Sequence, residues 1–138
     1  MSSTTATTSS SVPPGVLRSL KIKTGAVKRL VKERHVYFFE ADKQRERIEK
    51  LRVKEGVHEA DIRKQNEVLQ ETLEMIPHME RRIREAMEDL DNIVASLEAN
   101  DEVVQELADA RDAVQSAREA LKEAATQEKP EDNSAEQQ

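Results

Sequence analysis

Histidines, carboxylates and glycine-rich loops are the means by which a chain of this size would build a catalytic or metal centre, and their spacing here is unsuited to one. The histidines are His35, His58 and His78, and only His58 stands in a Glu-x-x-His arrangement, with Glu55. A di-metal helical bundle needs that motif twice, projecting inward from facing helices. Glu55 to His58 falls instead in an expected turn. Gly15, Gly25 and Gly56 are isolated, and none leads into a Gly-Lys-Ser or Gly-Lys-Thr step, so no phosphate-cradling loop is expected. Cysteine is absent, which removes disulfides and thiolate metal sites and is compatible with a reducing cytosol. The many carboxylates belong to slender helices, where little desolvation can split a pair into acid and base roles. The expectation is a chain with no catalytic residue, no cofactor and no metal, whose chemistry is binding.

The charge that could do the binding is unevenly spread. Residues 16–54 hold 13 Lys or Arg against 5 Asp or Glu, whereas residues 55–99 hold 5 against 12 and residues 100–138 hold 4 against 11. A first helix of net +8 precedes two segments of net −7 each. Two readings follow: the basic helix is held between acidic neighbours of its own bundle, or it presents a basic surface to an acidic partner. A helix buries only a stripe, so both can hold.

The elements that position these charges are legible in the periodicity. From Ile62 to Leu97 a large aliphatic residue recurs every seventh position: Ile62, Leu69, Ile76, Ile83, Leu90 and Leu97. A strand repeats every second residue, so this spacing means a long helix with one face committed to partner helices. Leu73, Met79, Met87, Ile93 and Val94 widen the stripe, while Gln65 and Asn66 interrupt it early. Pro77 lies in the middle, without a donor for the carbonyl of Leu73, and a kink is expected there. Before it, Leu20, Val27, Val31, Phe38, Ala41 and Ile48, widened by Leu30, Tyr37 and Leu51, form the apolar face of a helix over about 16–54. Gly25 in that helix implies a later start capped by Thr24, a close backbone approach, or a tolerated Gly near a helix end. Gly56 marks the chain reversal, with Asp61 placed to cap a second helix over about 61–98. Asn100 and Asp101 offer a cap for a third helix over about 101–126. Its seam reads Val103, Leu107, Ala110, Val114, Ala117, Leu121 and Ala124.

The fold class expected is therefore all-α: an elongated antiparallel three-helix bundle, coiled-coil-like, with a central helix kinked at Pro77. Charged residues at 36% and aromatics at 2% agree with that class. Residues 1–15, nearly all Ser and Thr, and residues 127–138, acidic and poor in apolar side chains, are expected to be disordered tails. The first of these lacks the arginines of a transit peptide. No apolar run approaches membrane-spanning length, and neither a membrane partner nor a nucleic acid is expected. For the latter, the sequence pI of about 5.2 and the want of aromatic interleaving argue against single-strand binding.

Ile22 to Glu33 (IKTGAVKRLVKE) and Asp61 to Ile83 (DIRKQNEVLQETLEMIPHMERRI) resemble tubulin-binding cofactor A, a family of small three-helix tubulin-folding chaperones. The steps that carry the likeness are Thr24-Gly25, Lys28-Arg29-Leu30, Lys64-Gln65, Leu69-Gln70-Glu71, and Met75-Ile76-Pro77 followed by Arg81-Arg82. It spans about residues 18–125. The resemblance implies a cytoplasmic, microtubule-linked protein that captures β-tubulin after chaperonin release and holds it for αβ-heterodimer assembly. Other tubulin-folding cofactors are implied as further partners, and the chain as a monomer or weak homodimer. Because tubulin is acidic, the residues expected to touch it are Lys21, Lys28, Arg29 and Lys32 on the first helix with Arg81 and Arg82 past Pro77. Gly25, Gly56 and Pro77 are assigned structural roles. The competing expectation is a structural coiled-coil adaptor that dimerises through the third helix.

Overall fold

The computed structural model describes residues 12–98 and 100–127, so of the tails expected at 1–15 and 127–138 the stretches 1–11 and 128–138 lie outside the described residues. Three helices account for nearly all of it: α1 (Pro14–Val53), α2 (Glu59–Leu97) and α3 (Val104–Gln127), the last led in by a 3₁₀ turn at Asp101–Val103. With 40 and 39 residues, α1 and α2 are each about 60 Å long at 1.5 Å per residue. They form an antiparallel hairpin on which α3 packs.

The helix ends follow from local chemistry. α1 starts two residues ahead of expectation because Pro14 presets a helical φ, and the Pro13 carbonyl accepts from Val16 N at 2.9 Å and Leu17 N at 3.2 Å. Val12 to Gly15 therefore leave the expected tail: Val12 packs on the core, and its N–H donates to Glu102 Oε2 at 3.4 Å. Gly56, at φ 79°, makes the turn between α1 and α2 in the left-handed region that favours glycine. α2 then opens at Glu59, with His58 at the cap position and its carbonyl accepting from Asp61 N at 3.0 Å. Asp61 is thus not the cap. It lies in the first turn, where a carboxylate faces the positive end of the helix dipole. Asn100 does cap, accepting from Glu102 N at 2.9 Å.

Gly25 lies inside α1, exposed, with open space where a Cβ would stand. Neither a helix start nor a close approach explains it. Thr24 does not cap either; its hydroxyl donates back to the Leu20 carbonyl at 2.7 Å within the same helix. Pro77 lies exposed within α2, between the buried Ile76 and Met79, and the chain stays helical through it.

The main core joins Leu20, Val27 and Leu30 of α1 to Met79, Ile83, Leu90, Val94 and Leu97 of α2, to Val103 of the 3₁₀ turn and to Leu107, Ala110, Ala113, Val114 and Ala117 of α3. Burying such an aliphatic side chain contributes about 1.5–3 kcal/mol. On α3, Ala110, Ala113, Ala117 and Ala120 are all buried, so α3 settles close to both long helices. Val103, Leu107, Ala110, Val114 and Ala117 of its seam are buried within the chain, and Leu121 packs against the same core. The adaptor reading, which would dimerise through this seam, therefore meets residues already covered within the chain.

The heptad of α2 is unequally used. Ile76, Ile83, Leu90 and Leu97 are buried, but Ile62 and Leu69 are only half-buried, and no residue from 59 to 75 is fully buried. This half of the hairpin has two helices where the other has three. Ala41, Gln44 and Ile48 of α1 are buried here, and Gln44 Nε2 donates to the Gln65 carbonyl and side-chain oxygen, both at 2.8 Å. The polar interruption at Gln65 thus has a partner.

Candidate functional site

The histidines hold no chemistry in common: His35 and His78 are exposed on α1 and α2, and His58 is exposed beside the turn. Among the described residues no three His, Asp or Glu side chains converge as a metal site would require. The side chains able to recognise a partner are the cations of α1.

Lys21, Lys28, Arg29, Lys32, Arg81 and Arg82 are all exposed. Spacings of seven and four put Lys21, Lys28 and Lys32 on one row of α1. Its upper end is not free ground. Lys21 and Lys28 line a groove between α1 and α3 with Glu106 and Asp109, so the acids of α3 already face them. Arg29 turns to another flank, within 4.0 Å of Glu33. Arg81 and Arg82 ride on α2, pointing away from the buried side that carries Met79, Glu80 and Ile83.

The expectation that acidic neighbours hold the basic helix is met at few points. Between helices the ion pairs are Lys23–Asp89 at 3.5 Å, Arg34–Glu80 at 3.3 Å and Arg118–Asp91 at 3.3 Å. The other pairs, Arg29–Glu33, Lys43–Glu46 and Arg45–Asp42, are local to α1. Lys23 and Arg34 are the α1 cations in these pairs with α2, and the other Lys and Arg of α1 are exposed. The rest of its positive charge is left at the surface.

Arg34–Glu80 is the feature that sequence reasoning missed. Both side chains are buried, and the Arg34 guanidinium carbon stands 4.4 Å from the Phe38 ring centroid. Arg34 Nη2 is buried without a hydrogen-bond partner. A signal existed: Val27, Ala41 and Ile48 share a seven-residue step whose vacant place is residue 34. The apolar face was read around Arg34 because an arginine does not count as core. Phe39, Val36 and Val68, all exposed, were also passed over.

The described residues thus form a rod with a basic flank and an acidic remainder, and no group of His, Asp or Glu among them could hold a metal. The model of the tubulin binding cofactor A family matches residues 16–121. The chain belongs to this family. Human tubulin-specific chaperone A is 51% identical over 78 residues, which cover 56% of this chain and 71% of that protein. The crystal structure of tubulin folding cofactor A from Arabidopsis thaliana superposes with a TM-score of 0.69 at 32% identity, covering 76% of this chain and 97% of that one. RBL2P, described as a β-tubulin binding post-chaperonin cofactor, gives 0.65 at 36% identity and covers 75% of this chain and 98% of its own. The three-helix architecture is thus that of tubulin binding cofactor A, and the chain is a tubulin-folding chaperone. No helix among the described residues is long and apolar enough to cross a membrane.

Proposed function

We propose that this chain captures β-tubulin released from a chaperonin and holds it for assembly into the αβ heterodimer. Binding alone performs the task; no catalytic step or cofactor is involved. One observation carries the reading: within a tubulin-folding chaperone family, the positive charge of α1 is mostly left unpaired with α2 and turned to solvent. A long charged surface favours fast, specific association over extreme affinity, which suits a protein that must hand its cargo on. The contact surface proposed is Lys21, Lys28, Arg29 and Lys32 with Arg81 and Arg82. The chain acts in the cytoplasm near microtubules, as a monomer or weak homodimer, alongside other tubulin-folding cofactors.

The test is a binding assay against isolated β-tubulin, isolated α-tubulin and the heterodimer. Selective capture of β-tubulin is expected, and binding to none of the three sinks the proposal. Reversing Lys28 and Arg29 to Glu should weaken capture and flatten its salt dependence. Unchanged capture by a folded K28E/R29E variant removes this part of α1 from the contact.

A further inference from the structure

The row that begins at Lys21 and Lys28 does not stop at Lys32. Val36, Phe39, Lys43, Arg47 and Lys50 continue it along α1 at steps of three and four, and Lys54 follows at the C-cap. Its two halves differ in what covers them. In the upper half, α3 lies alongside and supplies Glu106 and Asp109 opposite Lys21 and Lys28. In the lower half no residue of α3 is among those that line the flank.

There the flank forms a groove with α2. Phe39, Lys43 and Arg47 face Val68 and Thr72, and the groove continues past Gln65 to Lys50, Leu51 and Lys54. Phe39 is 62% exposed, with the Lys43 ammonium 5.3 Å from its ring centroid. Glu40 is the one carboxylate among the lining residues, and Glu46 pairs with Lys43 at the edge at 3.7 Å. Lys50 and Lys54 make no ion pair with any described residue. An exposed aromatic shares this groove with Lys43 and Arg47, and its cations lack the facing carboxylates that α3 supplies to Lys21 and Lys28 above.

We infer that this lower groove is the anchor point for the captured subunit and takes an acidic amphipathic helix, whose apolar side covers Phe39 and Val68 and whose carboxylates meet Arg47, Lys50 and Lys54. The inference rests on the tubulin-capture reading and adds to it a place and a chemistry. Aromatic anchors carry a large share of interface energy where neighbouring contacts exclude water, and cations around them direct the approach. The upper basic row, already faced by acids of α3, contributes the lesser part.

The test compares Phe39→Ser and the pair Lys50→Glu, Lys54→Glu with Ile22→Ser, which alters an equally exposed apolar side chain, 62%, off the stripe. The probe is isolated β-tubulin at two salt concentrations, with far-UV circular dichroism and the urea midpoint confirming that each variant is folded. Phe39→Ser and the Lys50, Lys54 reversal should each weaken capture at least about tenfold, the reversal also flattening the salt dependence, while Ile22→Ser stays within about twofold, as for a residue outside the hot spot. Folded Phe39→Ser and Lys50, Lys54 variants that capture like wild type overturn the inference and leave the capture reading standing. A wild-type chain that captures no β-tubulin overturns both. A groove that serves a second copy would show in sedimentation as a mass above the 15.7 kDa of one chain, reversed by Phe39→Ser with capture intact, and that outcome also overturns it.

Discussion

Breaking the buried pair from one side is expected to cost far more than the pair contributes. Arg34 Nε and Glu80 Oε1 meet at 3.3 Å with side chains 2% and 3% exposed. At that distance and an effective dielectric constant of about 20, the attraction is about 5 kcal/mol. Against it stands a desolvation penalty of several kcal/mol for each ion, and Nη2 is buried without an acceptor, which costs about 1–3 kcal/mol more. The Phe38 face returns about 2 kcal/mol at most. The net contribution is therefore near zero. Glu80→Leu discards the attraction and keeps the whole desolvation cost of Arg34, so it should destabilise the bundle by about 3–5 kcal/mol. Arg34→Met combined with Glu80→Leu removes both charges at similar volume and should return stability to within about 1 kcal/mol of wild type, or above it. Urea unfolding of the four proteins of this cycle, followed by far-UV circular dichroism, reads both values. A Glu80→Leu variant that loses less than about 1 kcal/mol at an unchanged m-value would mean that water reaches Arg34, and the reasoning would fail.

Further outcomes are checked by the same unfolding assay. Ile83→Ala, at a fully buried position, should lose about 2–5 kcal/mol, whereas Ile22→Ala on the exposed surface should stay within about 0.5 kcal/mol of wild type. Ala117→Leu should cost about 1–3 kcal/mol, because α3 approaches its neighbours through buried alanines and leaves no space for a larger side chain. Gly25→Ala should stabilise by about 0.5–1 kcal/mol, since the position is helical and a Cβ meets nothing; a loss would reveal a packing role. Asn100→Ala should cost about 1 kcal/mol through the lost cap on Glu102 N.

The sequence by itself determined that there are three helices, where the chain reverses, and most of the apolar residues with which the second half of α2 and α3 meet the core. These follow from spacing, since a seven-residue repeat selects the helix and Gly56 permits a backbone conformation that other residues resist. It also determined that the positive charge lies on the first helix, which composition records without regard to folding. The tertiary structure decided what that charge faces. Lys21 and Lys28 look alike in sequence to Lys50 and Lys54, but α3 brings Glu106 and Asp109 to the first two, whereas no carboxylate is among the residues that line the groove with the last two. Periodicity reports a face of one helix, and not the length of the neighbour that covers it; Ile62 and Leu69 keep the heptad yet stay half-buried because α3 packs on the other half of the hairpin. Arg34 and Glu80 were settled at this level too. Neither residue type belongs in a core, and only the meeting of two helices, 46 residues apart in the chain, brings the opposite charges together and makes their burial tolerable.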